Sequence, residues 1–264
     1  ERGIFNRQAA QQQAAKYGRR DSDIDYGTNP CCEIILRPKQ FCNLSEVVVK
    51  AEDTVETLQK KVELATILGT IQSCFTDFKG LSRQWTRNTE EERLLGVSLT
   101  GILDNKMMSN KTNDNLETLL SNLRLTAVAT NSKWAKYLGI EPSAAITCVK
   151  PSGTVSQLVD AASGIHPRHA EYYIRTVRAD KKDPLTQFMT EKGFPVEDEL
   201  AKPQSMSVFN FPMKSPKGAL TRHDISAIDH LKIWQIYSEY WCEHKPSITI
   251  SVQEDEWMEV GALS

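Results

Sequence analysis

Short apolar or β-branched runs alternate with helix-like stretches along this chain. The run from Leu44 to Val49 precedes a stretch from Asp53 to about Cys74, which opens with a typical helix N-cap pattern. The apolar run from Leu94 to Leu103 precedes an amphipathic stretch from Asn113 to Leu138, which ends at a glycine. Strands that alternate with helices of this length favour an α/β fold with a parallel sheet, whose active site lies beyond the carboxyl ends of the strands.

The alternation continues through the second half of the chain. Further strands are predicted at Ala144–Val149, Tyr172–Val177, Met206–Phe211 and Ser247–Val252, and further helices at about Pro184–Lys192 and His223–His244. Residues 1–28 are polar and favour a helix followed by a loop. Because only five or six strands are predicted, we do not expect a complete closed barrel.

The balance of charge excludes several classes of binding protein. The 264 residues include 32 basic and 34 acidic side chains, with a net charge of -2, so no large field of one sign attracts nucleic acid or an anionic membrane. Phosphate recognition must therefore be local. No apolar run reaches the roughly 18 to 20 residues that a membrane helix needs, and the N-terminus lacks the apolar segment of a signal peptide. We expect a cytoplasmic protein without nucleic-acid or membrane partners.

The positions of the cysteines are more informative than their number. Six cysteines are too few for a disulfide scaffold in a chain of this length. Three of them stand alone in apolar or helical surroundings and are expected to pack in the core: Cys74, Cys148 and Cys242. The other three lie close together near the N-terminus and call for a chemical explanation.

The segment Asn29-Pro30-Cys31-Cys32-Glu33 combines an amide, two thiols and a carboxylate, and Cys42 follows eleven residues after Cys31. In an extended chain, Asn29, Cys31 and Glu33 would point to the same side, because side chains alternate with a period of two. One cleft could then hold the amide, one thiol and the carboxylate together. Cys32 would point away from Cys31, and we expect it to be packed.

Two other interpretations of this segment stay open. It could be a structural turn with incidental cysteines, or Cys31, Cys32 and Cys42 could contribute to a zinc site. Adjacent cysteines lack the usual spacing of two to four residues between zinc ligands, and the chain contains no Cys-x-x-Cys motif. We therefore expect no bound metal.

A second motif, Lys150-Pro151-Ser152-Gly153-Thr154-Val155-Ser156, lies between a predicted strand and the start of a predicted helix. Small hydroxyl residues, a glycine and free backbone N–H groups at the start of a helix can bind an anion without net positive charge. The same residues also describe an ordinary turn with a helix cap. The motif alone does not decide between the two.

Taken together, the two motifs resemble the ribonucleotide reductases, whose active-site finger loop carries an Asn-x-Cys-x-Glu motif with a second redox cysteine downstream. The likeness extends from Gly3-Ile4-Phe5-Asn6 to Ser247–Val252. It implies reduction of ribonucleotides to 2′-deoxyribonucleotides by a thiyl-radical mechanism, and a fold that is about half of the ten-stranded reductase α/β barrel. Residues 1–43 would form the lead-in and finger loop, and residues 44–264 would form strand-helix units with the phosphate loop at 150–156.

The resemblance also implies a role for each residue of the two motifs. Cys31 would become a thiyl radical that takes the ribose 3′-hydrogen, Glu33 would be the base for the 3′-hydroxyl, and Asn29 would hydrogen-bond the ribose hydroxyls. Cys42 would be one half of the dithiol that reduces the 2′-position. The substrate phosphates would be held by Ser152, Gly153, Thr154, Val155 and Ser156.

Three features resemble the adenosylcobalamin-dependent class of this family. They are the Asn-Pro-Cys form of the loop, the eleven-residue gap from Cys31 to Cys42, and Gly153 where the oxygen-dependent enzymes usually have glutamate. In that class, the carbon–cobalt bond of adenosylcobalamin supplies the radical. The likeness favours the monomeric group that uses ribonucleoside triphosphates, while a diphosphate substrate stays open.

Some parts of the family pattern have no match in this sequence. Full-length reductases have an upstream half of the barrel, which carries the partner of Cys42, and a C-terminal tail with a cysteine pair, through which we expect a thioredoxin-type reductant to act. No cysteine precedes Cys31, and twelve residues follow Val252. We therefore expect a fragment that needs the missing N-terminal half and is inactive alone.

Two other classes of function are compatible with the sequence. A noncatalytic nucleotide-binding relative would keep the phosphate loop but would have no need for the Asn29, Cys31 and Glu33 combination. A different cysteine-dependent enzyme, such as a thiol acyltransferase, would need a histidine base close to Cys31. Its candidate bases are His166, His169 and His244.

Overall fold

The computed structural model describes residues 4–109 and 114–263, and the chain divides into two units. The larger unit contains the chain up to Arg168 and from Gly218 onward, and the smaller unit is His169–Lys217. The α-helices are α1 (Arg7–Ala15), α2 (Val55–Gln72), α3 (Arg83–Glu92), α4 (Asp114–Leu138), α5 (Val155–Leu158), α6 (Pro184–Glu191), α7 (Ala227–Ile236) and α8 (Trp257–Leu263). The strands are β1 (Gly27–Thr28), β2 (Ile35–Leu36), β3 (Asn43–Val48), β4 (Leu95–Thr100), β5 (Thr147–Cys148), β6 (Tyr172–Asp180), β7 (Val196–Asp198) and β8 (Met206–Lys214).

A parallel sheet with the order β3-β4-β5 is at the centre of the larger unit. Its two faces differ because side chains alternate along each strand. One face carries Val47, Val97 and Leu99, which belong to the main hydrophobic core. The other face carries polar residues, since Glu46 pairs with Ser98 and Ser98 pairs with Cys148 across the three strands. The polar side chains of Glu46 and Ser98 therefore lie on the face opposite the core.

Helix α2 packs on the apolar face of this sheet, and α4 packs against α2 in the same hydrophobic core. Helix α2 begins at a capping box in which Thr54 and Thr57 exchange side-chain and backbone hydrogen bonds, as its N-cap pattern predicted. It approaches β4 closely at Gly69, where a Cβ atom would lie 3.1 Å from the Leu95 side chain. Within the described residues, no helix is long and apolar enough to cross a membrane.

The smaller unit is an antiparallel sheet with the order β6-β8-β7, together with helix α6. Asp183 caps α6, and Pro184 occupies its first turn, where a missing N–H costs nothing. The predicted strands at Tyr172–Val177 and Met206–Phe211 both exist and are longer than expected. They pair with each other in antiparallel fashion, however, so they do not extend the parallel series that the sequence predicted.

The C-terminal elements differ most from the prediction. The helix predicted over His223–His244 is shorter, because Ser226 accepts a hydrogen bond from the Asp229 N–H and starts the helix there. Its last turn widens into a π-helical turn at Tyr237–Trp241. The strand predicted at Ser247–Val252 is wrong. That segment forms no strand in the described chain, and the neighbouring contact is an isolated bridge between Val149 and Pro246.

Candidate active site

The segment Asn29–Glu33, here called the finger loop, is the turn of a short hairpin between β1 and β2. The Cys32 N–H donates to the Asn29 carbonyl oxygen at 3.0 Å, and Cys32 has a positive φ of 62°. The loop is therefore a turn and not the extended segment in which Asn29, Cys31 and Glu33 would alternate to one side. Asn29 and Glu33 nevertheless meet, because the turn brings the Asn29 Nδ2 to 2.7 Å from Glu33 Oε1.

The two adjacent cysteines of the finger loop are both exposed. The Thr28 hydroxyl donates to Cys32 Sγ at 3.6 Å, and the Cys32 thiol faces the Pro30 carbonyl oxygen at 3.8 Å. The expectation that Cys32 is packed was therefore wrong. The left-handed turn leaves its side chain at the surface. Cys31 is open to the cavity described below.

Glu33 is completely buried and accepts two side-chain hydrogen bonds at one oxygen. Its Oε1 atom accepts from Asn29 Nδ2 at 2.7 Å and from Lys150 Nζ at 2.8 Å. Its Oε2 atom is buried, and none of the described residues donates a hydrogen bond to it. Burial would lower the pKa of Lys150, but the hydrogen bond and charge of Glu33 outweigh it and raise that pKa.

Cys42 lies just before β3, with its sulfur against the backbone of β4. A Cβ atom at Gly96 would lie 3.3 Å from Cys42 Sγ, so the glycine leaves room for the thiol. Burial raises the pKa of Cys42 well above its usual value, Glu33 raises it further, and the charges of Arg20 and Lys150 lower it. Cys42 is therefore a protonated thiol at neutral pH.

A cavity of about 530 Å³ opens on the polar face of the parallel sheet. It is lined by Cys31, Leu44, Ser45, Glu46, Ser98 and the residues from Lys150 to Val155. Cys31 thus shares one cavity with Ser152, Gly153, Thr154 and Val155. Four residues of the predicted site do not line it: Asn29, Glu33, Cys42 and Ser156. Ser156 is buried, and its hydroxyl accepts from Gln157 Nε2 and contacts the Ser163 hydroxyl.

The phosphate loop, Lys150–Ser156, is held by the chain that follows it. The Ser163 hydroxyl contacts the carbonyl oxygens of Pro151 and Ser152 at 2.8 and 3.1 Å. Gly164 has a positive φ of 57°, and a Cβ atom there would lie 2.4 Å from the Lys150 carbonyl oxygen. The helix after the loop, α5, is a single turn and is too short for a strong helix dipole. Anion binding here would depend on hydroxyl and local N–H groups instead.

Two charged residues of the cavity were missed by sequence reasoning. Lys150 was treated only as the start of a motif, and Glu46 was treated only as part of a strand. Burial raises the pKa of Glu46, while the neighbouring Ser152 hydroxyl and the Lys150 charge lower it. Leu44 and Glu46 are two positions apart on β3, so their side chains point to the same face of the sheet. This period of two was the signal that could have placed Glu46 at the site.

Two of the candidate histidine bases are engaged with backbone carbonyl oxygens of the larger unit. His166 Nδ1 contacts the Ser163 carbonyl oxygen at 2.7 Å, and His244 Nε2 contacts the Leu95 carbonyl oxygen at 2.9 Å. His169 belongs to the smaller unit, where its ring lies near Tyr173. Over residues 4–109 and 114–263, no group of three or more histidine, cysteine or acidic side chains could hold a metal ion.

Comparison with known proteins identifies relatives across nearly the whole chain. No family model matches. The adenosylcobalamin-dependent ribonucleoside-triphosphate reductase of Euglena gracilis is 26% identical over 251 residues, which cover 94% of this chain and 33% of that protein. A probable enzyme of the same name from Dictyostelium discoideum is 27% identical over 87% of this chain and 30% of that protein. The Lactobacillus acidophilus enzyme is 26% identical over 92% and 36%, respectively.

Solved structures give the same relationship. The B12-dependent (class II) ribonucleotide reductase matches with a TM-score of 0.74 and 25% identity, over 90% of this chain and 36% of that chain. The α subunit of the Actinobacillus ureae class Id reductase shares the fold, with a TM-score of 0.62 and 15% identity. These matches confirm the prediction of a partial reductase α/β barrel. The chain spans about a third of the length of the curated relatives, and over that third it is homologous to the adenosylcobalamin-dependent ribonucleotide reductases.

Proposed function

We propose that this chain contributes the radical cysteine and the phosphate-binding loop to an enzyme that reduces ribonucleotides to 2′-deoxyribonucleotides. The observation that carries the proposal is the shared cavity, which has Cys31 and Ser152–Val155 in its wall. Its volume of about 530 Å³ is in the usual range for a small-molecule site. The names of the relatives favour a ribonucleoside triphosphate as the substrate.

The proposed reaction assigns each finger-loop residue a step at a stated atom. The Cys31 sulfur, as a thiyl radical, takes the ribose 3′-hydrogen, while Glu33 takes the proton of the 3′-hydroxyl and Asn29 holds the ribose hydroxyls. The 2′-hydroxyl then leaves as water with a proton from one thiol of a pair, Cys42 and a second cysteine. The pair gives its other hydrogen to the 2′-carbon and supplies two electrons in all as it becomes a disulfide. Glu33 returns its proton to the 3′-oxygen, and Cys31 returns the hydrogen to the 3′-carbon, which restores the thiyl radical.

Cys42 suits this reducing role because it is a protonated, sheltered thiol close to the finger loop. Its hydrogen can be delivered with the electron, since burial holds its pKa far above neutral. We propose that its partner belongs to a segment equivalent to the upstream half of the relatives. A thioredoxin-type reductant acting through a C-terminal tail would restore the dithiol.

Adenosylcobalamin is the cofactor named for the relatives. When bound, it supplies the radical through homolysis of its carbon–cobalt bond. The exposed position of Cys31 fits such a cofactor, because a bulky group can reach an exposed thiol but not a fully buried one such as Cys148. Cys31 is the residue that would face it.

The test is formation of 2′-deoxynucleotide from each ribonucleoside triphosphate, with adenosylcobalamin and a dithiol reductant. The chain is assayed alone and together with a polypeptide that supplies the remaining two thirds of the relatives' length. We expect product only from the combination, and none when Cys31 is replaced by serine. Nucleotide binding without product in every combination would favour the noncatalytic alternative, and product from the Cys31→Ser chain would contradict the proposed site.

A further inference from the structure

We infer that Lys150 is a positioning residue for Glu33: its ammonium group holds one carboxylate oxygen so that the other is left to accept a hydrogen bond from a ribose 3′-hydroxyl. The inference rests on the proposed function and deepens it. It gives Lys150 a role separate from phosphate binding, although this lysine is the first residue of the phosphate loop.

The hydrogen bonds of Glu33 are divided unequally between its two oxygens. Lys150 Nζ donates to Oε1 at 2.8 Å, and Asn29 Nδ2 donates to the same atom at 2.7 Å. Oε2 is buried, with no donor among the described residues. A buried carboxylate oxygen without a donor is costly, so a ligand hydroxyl that donates to Oε2 would be bound favourably.

Lys150 is itself held at both its backbone and its side chain. Its backbone N–H donates to the Ser98 hydroxyl at 2.8 Å, which ties the lysine to β4. Its side chain is 32% exposed and lines the cavity, whereas the Glu33 side chain is 0% exposed and does not. Lys150 is therefore the residue of the cavity wall that contacts the buried carboxylate. Because Glu33 has no exposed surface, a nucleotide must displace part of this wall before its 3′-hydroxyl can reach Oε2.

The chain offers a matched ion pair for comparison. Lys61 is 36% exposed and contacts the nearly buried Asp53 at 2.6 Å, and neither residue lines the cavity. This pair has the same chemistry and a similar degree of burial. Its loss should affect stability much as the loss of the Lys150 pair does, without any effect on the recognition of a ribose hydroxyl.

The experiment measures binding of the four ribonucleoside triphosphates and their 3′-deoxy analogues to the 264-residue chain by titration calorimetry. Each pair of ligands has the same triphosphate, so the ratio of the two affinities removes any contribution of the Lys150 charge to phosphate binding. We expect the original chain to prefer the best ribonucleotide over its 3′-deoxy analogue by about tenfold, as for a hydrogen bond to a charged acceptor.

Lys150→Met and Lys150→Gln should reduce this ratio to near one, Lys150→Arg should retain most of it, and Lys61→Met should leave it unchanged. Lys150→Gln keeps a polar side chain and serves as the test if the methionine variant does not fold. A tenfold ratio that survives in Lys150→Gln would overturn the inference while the proposed function stands. A ratio near one in the original chain, or no nucleotide binding at all, would overturn the proposed site and the inference with it.

Discussion

The finger loop and the phosphate loop meet at one cavity but are held in different ways. Buried charges hold the finger loop, since Glu33 accepts from both Asn29 and Lys150. Small hydroxyl groups and a tight glycine hold the phosphate loop, through Ser163 and Gly164. A charged network is sensitive to the loss of any member, whereas a loop of backbone and hydroxyl groups is sensitive mainly to shape. Substitutions in the finger loop should therefore affect chemistry, and those in the phosphate loop should affect binding.

The largest expected effect concerns the chemical side of this contrast. It compares serine variants of Cys31, in the finger loop, and Cys42, beside it, in the enzyme completed with the remaining segments. Cys31→Ser should abolish loss of tritium from the ribose 3′-position, because the stronger O–H bond makes a serine radical inaccessible. Cys42→Ser should still release 3′-tritium but yield free base instead of deoxynucleotide, because a hydrogen donor is missing. Tritium release from Cys31→Ser, or many turnovers by Cys42→Ser, would show that the two roles are wrongly assigned.

The part of the fold next to the finger loop should also lose stability in acid, because it contains the buried His244. His244 is buried, and burial together with the charge of Arg20 lowers its pKa to about 3, against a contribution from the Leu95 carbonyl oxygen that raises it. The unfolded chain takes up a proton at this residue below about pH 6.5, whereas the folded chain does so only near pH 3. Its free energy of unfolding should therefore fall by about 2 kcal/mol between pH 7 and pH 5 from this group.

Urea unfolding at the two pH values, with His244→Gln as the reference, isolates this contribution. Glutamine can still donate to the Leu95 carbonyl oxygen but does not titrate, so the variant should lose less stability on acidification. The N–H of the next residue, Lys245, donates to the Glu33 carbonyl oxygen at 3.0 Å. Protonation of His244 would therefore also weaken the packing of the finger loop. Equal losses in the two proteins would contradict the assignment of a neutral, buried His244.

Shape is the property to change in the phosphate loop. A Cβ atom at Gly153 would meet no other atom within 4 Å, so Gly153→Val should fold normally. Its methyl groups would instead occupy the cavity that Gly153 lines, and nucleotide affinity should fall by about tenfold. Gly164→Ala is the opposite control, because its Cβ would collide with the Lys150 carbonyl oxygen and reduce stability first. Unchanged affinity in Gly153→Val would mean that the loop is only a turn.

The sequence predicted the residue types of both loops better than their shapes. The finger-loop residues were identified because an amide, a thiol and a carboxylate together suggest a specific chemistry. A turn was left open as one interpretation of this segment, but the sequence did not favour it, because it depends on Cys32 in a left-handed conformation, which is uncommon outside glycine. The contact between Lys150 and Glu33 was also missed, since the two residues are 117 positions apart.

Helix α3 shows a different reason for failure. Its buried residues are polar, namely Asn88, Thr89 and Glu92, so the sequence has no apolar period to reveal a helix. They are satisfied by tertiary contacts, such as the pair of hydrogen bonds from Arg20 to Glu92 at 3.0 and 2.9 Å. By contrast, α2 and α4 carry apolar residues of the main hydrophobic core, and both were predicted within a few residues.

The smallest expected effect concerns the acid that faces the phosphate loop. Glu46 lines the cavity beside Ser152, and burial raises its pKa, which the Ser152 hydroxyl and the Lys150 charge partly offset. An ionised Glu46 would repel a phosphate, so Glu46→Gln should strengthen binding of a ribonucleoside triphosphate at neutral pH by about threefold. Glu52→Gln removes the same charge from an exposed position outside the cavity and should have no such effect.

The pH dependence of the same pair of proteins tests the cause. As the pH falls through the raised pKa of Glu46, the original chain protonates this group and loses the repulsion, so its affinity should approach that of Glu46→Gln. Titration of the nucleotide itself affects both proteins equally and cancels in the ratio of their affinities. A ratio that stays constant with pH would mean that the charge of Glu46 does not act on the phosphates. The phosphate loop would then depend on shape alone, and its contrast with the charged finger loop would be complete.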